Sequence, residues 1–125
     1  MRESGMAVRY HSNGLRVIDQ ELIDEVVATI VEHVHPDRIV LFGSQARGDG
    51  GPDSDLDLMI EMDSDLRPVD RAITIDALFP RRLWPLDVVV YTPAEVKRDS
   101  GRVGTLLSMI EADARTLYVD TRVTA

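Results

Sequence analysis

The run Asp55-Leu56-Asp57-Leu58-Met59-Ile60-Glu61-Met62 limits this chain more than any other stretch. Side chains on a strand alternate between faces, so Leu56, Leu58, Ile60 and Met62 point one way. Asp55, Asp57, Met59 and Glu61 point the other. A register slip of one residue would bury both aspartates, so the pattern fixes the strand in a sheet with a covered apolar face. Two carboxylates so placed raise each other's pKa unless a cation lies between them. A carboxylate pair on a rigid strand suits a hard cation such as Mg2+, which takes oxygen ligands and leaves positions for phosphate.

The surrounding segments supply the rest of a small domain. Apolar residues recur at helical spacing from Ile18 through Leu22, Val26, Ile30 and Val34, with Ile23, Val27 and Val31 beside them. His35-Pro36 ends that helix. Arg38 to Phe42 reads as a buried strand, followed by a polar, glycine-rich segment from Gly43 to Ser54. Ser64 or Asp65 is expected to cap a helix with Pro68 in its first turn, running to about Phe79. Leu86 to Tyr91 is a further strand, and Thr92-Pro93-Ala94-Glu95 has capping-box spacing. Val103, Leu106, Leu107 and Ile110 predict an amphipathic helix, and Thr116 to Val119 a short closing strand. Met1 to Arg16 lack periodicity and read as a flexible leader before one domain over residues 17–120. Helices alternating with strands predict an α/β or α+β domain, a small mixed β-sheet with helices packed against it. Periodicity leaves the strand order open.

Charge and composition narrow the function. The formal net charge of −8 over 125 residues repels nucleic-acid backbones, so no direct nucleic-acid binding is expected. A triphosphate could bind only after local neutralisation by arginines or divalent cations. There are no cysteines, which excludes disulfides and thiolate metal sites. No stretch is apolar enough to suggest a membrane span, and a cytoplasmic location is expected.

Two further elements bear on chemistry. Asp87 lies near the start of the Leu86–Tyr91 strand, among apolar neighbours where an acid is costly unless paired or metal-bound. If the two strands are neighbours, Asp55, Asp57 and Asp87 form a cluster able to hold two cations roughly 3.5–4 Å apart. A capped or edge-strand aspartate is the competing reading for Asp87. The segment Gly43-Ser44-Gln45-Ala46-Arg47-Gly48 directly follows a strand. Gly43 allows backbone to approach a phosphate, Ser44 offers a hydroxyl, and a helix starting near Ser44 would aim free N–H groups outward. Arg47 can contact phosphate through two nitrogens, or simply lie on the surface. His33 and His35 read as surface residues, Arg81-Arg82 as a solvated turn, and Trp84 as a core or edge anchor.

Gly43-Ser44, ten intervening residues and Asp55-Leu56-Asp57 together resemble the signature of the DNA polymerase β-like nucleotidyltransferase superfamily. The fuller GSQARG and SDLDL resemble its minimal nucleotidyltransferase branch, small domains often paired with a HEPN-domain protein in toxin–antitoxin modules. The resemblance covers about Ile18 to Val119. It implies the polymerase β-like fold, two Mg2+ ions and ATP as nucleotide donor. It implies that Asp55 and Asp57 bind both metals, that Asp87 binds one and helps deprotonate an acceptor hydroxyl, and that Gly43, Ser44 and Arg47 serve the nucleotide. Larger relatives bind their acceptors with a second domain, for which this length is expected to leave no room. Another polypeptide is therefore expected to supply the acceptor or much of the binding surface, and the resemblance implies a tyrosine of a partner HEPN toxin, with this chain as antitoxin. Occlusion of a toxin without catalysis and nucleotidylation of a small molecule such as an aminoglycoside are the alternatives; oligomerisation stays open.

Overall fold

The structure, a computed structural model, describes residues 8–122. Nine elements follow in order: α1 (Gln20–Val34), β1 (Arg38–Phe42), α2 (Gly43–Arg47), β2 (Leu56–Glu61), α3 (Pro68–Asp76), β3 (Leu86–Tyr91), α4 (Pro93–Asp99), α5 (Leu106–Asp113) and β4 (Arg115–Val119). The strands form one mixed sheet in the order β3-β2-β1-β4. β1 runs antiparallel to both β2 and β4, whereas β2 and β3 are parallel. The expected α+β architecture is what the chain adopts.

The alternation in β2 does what its pattern dictates. Leu56, Leu58 and Ile60 are fully buried with Leu22, Val26, Ile30 of α1 and Ile75 of α3. The other face is not open along its whole length, because Met59 packs with Val40 beneath Leu107 and Ile110 of α5. Asp57 and Glu61, on either side of Met59 on that face, are only partly buried. Each helix begins where local chemistry allows. Asp19 caps α1 by accepting from Leu22 N–H at 3.0 Å, and His35 leaves it in a left-handed conformation at φ 48°. Thr92 and Glu95 make the anticipated reciprocal capping box of α4.

Three local expectations are corrected. α3 starts at Pro68 with Arg67 as its cap, and it ends at Asp76, short of Phe79. The Ser64 hydroxyl instead accepts from Leu66 N–H at 3.0 Å, a local turn that competes with capping. Val103 is 97% exposed because it sits between Gly101 and Gly104, both at positive φ, in the turn before α5. Thr105 caps that helix by accepting from Ser108 N–H at 3.1 Å, so the helix begins at Leu106.

Of the segment expected as a flexible leader, residues 1–7 lie outside the described residues. In the remainder, Tyr10 and Arg16 form an antiparallel bridge, and Arg16 N–H donates to Leu83 O at 2.6 Å. Trp84 is buried and meets Phe79 edge-on, with ring centroids 5.6 Å apart. Arg82 lies over the Trp84 ring and pairs with Asp76 at 2.9 Å. Among the described residues no helix is long and apolar enough to cross a membrane.

Arg71 ties three elements together from a buried position. Its guanidinium donates to Leu66 O at 2.8 Å, Val90 O at 3.3 Å and Glu95 Oε1 at 2.8 Å. This ion pair holds the Glu95 carboxyl below its ordinary range. Replacing Arg71 with alanine would remove the ion pair of Glu95, leaving it only its capping bond from Thr92 N–H, and unpair Val90 O, which costs about 3 kcal/mol. Urea denaturation of Arg71→Ala should show that loss as a lower midpoint at nearly constant slope.

Candidate active site

The site forms where β1, β2 and β3 end together. Leu56 N–H donates to Pro85 O at 2.9 Å, which starts the parallel ladder and sets its register. In that register Asp57 stands beside Asp87, and neighbours in register share a face of the sheet. Asp55 precedes β2 and is free of the core. One carboxylate oxygen from each of Asp55, Asp57 and Asp87 lies within 4.8 Å of the other two. Asp55 and Asp87 are exposed, and Asp57 is partly buried. The adjacency inferred for Asp87 from its strand is therefore what the sheet produces.

The charge of this trio is only partly compensated. Burial, then the charges of Asp87 and Asp55, push the Asp57 carboxyl up to about 6, with Arg47 pulling the other way. Among the described residues, none of the three acids has a hydrogen-bond or ion-pair partner. It is also the one group of three acids or histidines, among those residues, close enough to share an ion. Three oxygen donors without a bonded cation are the donor set of a hard divalent metal, so the residues fit Mg2+.

Gly43 sits against this cluster for two reasons. Its φ is +75°, and a Cβ there would meet Asp57 Oδ2 at 2.2 Å. The glycine thus makes room for the carboxylate as well as for a turn. α2 begins at this residue with Phe42 as its cap, and no side chain satisfies its first N–H groups. Ser44 follows at once; among the described residues its hydroxyl has no partner.

Arg47 is engaged in ion pairs at the surface. Its guanidinium donates to Asp49 Oδ2 at 3.2 Å and to Asp113 Oδ2 at 3.0 Å while about half-exposed. It therefore braces α2 against α5, near enough to Asp57 to ease that group's charge. Asp49 and Asp113 were not legible as parts of this site. Asp113 is 66 positions from Arg47, and nothing in the local pattern of α5 marks it.

The family model for the nucleotidyltransferase domain matches residues 23–118, a span that contains every residue of this site. The chain belongs to that family. A crystal structure of a candidate nucleotidyltransferase from Sulfolobus solfataricus is similar in fold, with a TM-score of 0.58 at 19% identity, covering 82% of this chain and 81% of that one. No curated protein sequence matches the chain. The mixed sheet, with its carboxylates at one end, is consistent with the polymerase β-like fold of minimal nucleotidyltransferase domains. Family and trio together support nucleotidyl transfer as the chemistry of this nucleotidyltransferase domain.

Proposed function

We propose that this nucleotidyltransferase transfers AMP from ATP to an acceptor hydroxyl, a tyrosine of a HEPN-domain toxin, and so acts as a cytoplasmic antitoxin. The in-register pair Asp57 and Asp87, with Asp55 beside them, carries the reading. The GSQARG and SDLDL segments support the toxin–antitoxin setting through their resemblance to the minimal branch.

Asp55, Asp57 and Asp87 would hold two Mg2+ ions, which when bound neutralise phosphate oxygens and acidify the acceptor hydroxyl. The chain's own groups do the rest. The exposed Asp87 carboxylate takes the proton of the acceptor hydroxyl. The freed oxygen bonds to the α-phosphorus as the bond to the bridging oxygen breaks, and pyrophosphate leaves. Ser44 and the unsatisfied N–H groups that open α2 receive the departing phosphates. Positioning and charge neutralisation, with no covalent enzyme intermediate, account for the acceleration.

The test is ATP labelled at the α-phosphorus, with Mg2+ and a candidate HEPN-domain partner. Label should appear on that partner, disappear with chelator, and be lost in Asp55→Ala and Asp57→Ala. A partner that is inhibited but never labelled would replace catalysis with occlusion.

A further inference from the structure

We propose that the free edge of β3 is the docking track for the acceptor polypeptide, which binds there as an added strand. The inference rests on the protein acceptor proposed above. β3 is the outermost strand, and its pairing to β2 decides which groups face outward. Pro85 O accepts from Leu56 N–H and Tyr91 O from Met62 N–H, so alternate residues 85, 87, 89 and 91 serve the ladder. The N–H and C=O groups of Leu86 and Val88 therefore face away from it. Val90 O also faces away, but Arg71 Nη1 covers it at 3.3 Å. The edge is closed near Tyr91 and open beside Asp87.

A row of alternating donors and acceptors is matched by another polypeptide backbone. Side chains of such a strand find a groove of about 400 Å³ along β3. Its lips are Val69 on α3 and Leu106 on α5, 59% and 52% exposed. Ala72 and Val88 also line it, and its two charged residues are already engaged: Glu95 by Arg71, and Arg98 by Asp99. The track is apolar and locally neutral until it reaches the carboxylates. Charge complementarity then specifies the occupant: an extended segment with apolar side chains and no acid near its hydroxyl residue.

Stereochemistry connects track and site. A residue opposite Asp87 on an added strand stands on the same face as Asp87 and Asp57, with Cβ atoms about 5 Å apart. A tyrosine in that register carries its hydroxyl to the trio. A second copy of this chain is a poorer occupant, since each copy carries a net charge of −8.

Fluorescence anisotropy tests the track without ATP or metal, so its failure is separate from that of nucleotidyl transfer, which label transfer reads. The probe is a short fluorescein-labelled peptide of alternating valine and threonine with one central tyrosine. Val88→Pro removes an outward N–H and leaves the β2 ladder intact, a substitution edge strands accept. Val69→Asp charges one lip at an exposed position in the first turn of α3, where an acid suits the helix. Saturable binding to the wild type, weakened about tenfold or more in both folded variants, is expected. Equal affinity in either variant, or no binding to the wild type, overturns the proposal. So does sedimentation showing a dimer that Val88→Pro dissociates, which would give the edge to a second copy.

Discussion

Asp57→Asn should lose nucleotidyl transfer by about a thousandfold or more and yet melt at a higher temperature than the wild type in chelator at pH 7.5. Both effects come from one carboxylate. Asp57 is the partly buried member of the trio and stands in register with Asp87, so its loss removes one of the three carboxylates that could hold an ion. The same position burdens the metal-free fold. An unperturbed aspartate titrates near 3.8, and Asp57 is pushed up to about 6 by burial first and by Asp87 and Asp55 second. Between those values the folded chain keeps a proton that the unfolded chain has released. Stability therefore falls as pH rises through this window, and the cost is complete above about 6.

Solvent around two exposed neighbours screens much of that cost, which leaves about 1 kcal/mol, or roughly 3–5 °C in melting temperature. The advantage of Asp57→Asn should shrink as pH falls from about 6 towards 3.8 and vanish below that, where the wild-type group is protonated in both states. Saturating Mg2+ should reverse the order, since ligand at a hundred times its Kd stabilises the wild type by about 2.7 kcal/mol. Differential scanning fluorimetry at four pH values, with and without Mg2+, measures all three outcomes. A variant that melts below the wild type in chelator at pH 7.5 would show that the carboxylates do not strain the fold.

The parts of this site written in short-range pattern were legible; those made by long-range pairing were not. The period-two run through Leu56 and Leu58 announces a strand with aspartates on one face because burial of the leucines leaves no other register. Thr92 and Glu95 announce a helix start because the capping box is complete within four residues. The parallel pairing of Asp57 with Asp87 has no such local signature. It depends on α3 crossing over to set β3 beside β2, a consequence of packing Ile75 into the same core as Leu58. Arg47 shows the limit from the other side. Its place in a phosphate-like motif suggested a ligand or a surface residue, and the ion pair it makes with Asp113, 66 positions away, could not be read from either pattern. Val103 fits the helical stripe of α5 by spacing but is turned out by the flanking glycines.

Among the glycines of the described residues, Gly43 should be the one least tolerant of alanine, through a contact that also tests how the trio is held. The residue sits at φ +75°, a conformation that costs an alanine about 1–2 kcal/mol. Its new Cβ would also stand 2.2 Å from Asp57 Oδ2 and 3.1 Å from Asp57 Cγ, so the carboxylate must swing away. Asp57 has a short side chain on a strand pinned by β1 and β3, and it cannot swing without leaving Asp55 and Asp87. We expect a loss of about 2–4 kcal/mol of stability and at least about a hundredfold of label transfer. Gly48→Ala is the control, because φ there is +86° but nothing lies within 4 Å of the added carbon. It should cost only the backbone strain, about 1 kcal/mol, and leave transfer within a few-fold. A double-mutant cycle separates the two contributions. In an Asp57→Ala background the contact is gone, and Gly43→Ala should cost no more stability than Gly48→Ala does. If Gly43→Ala is equally destabilising with and without the Asp57 carboxylate, the glycine serves the turn alone and the carboxylate is held in place by something else.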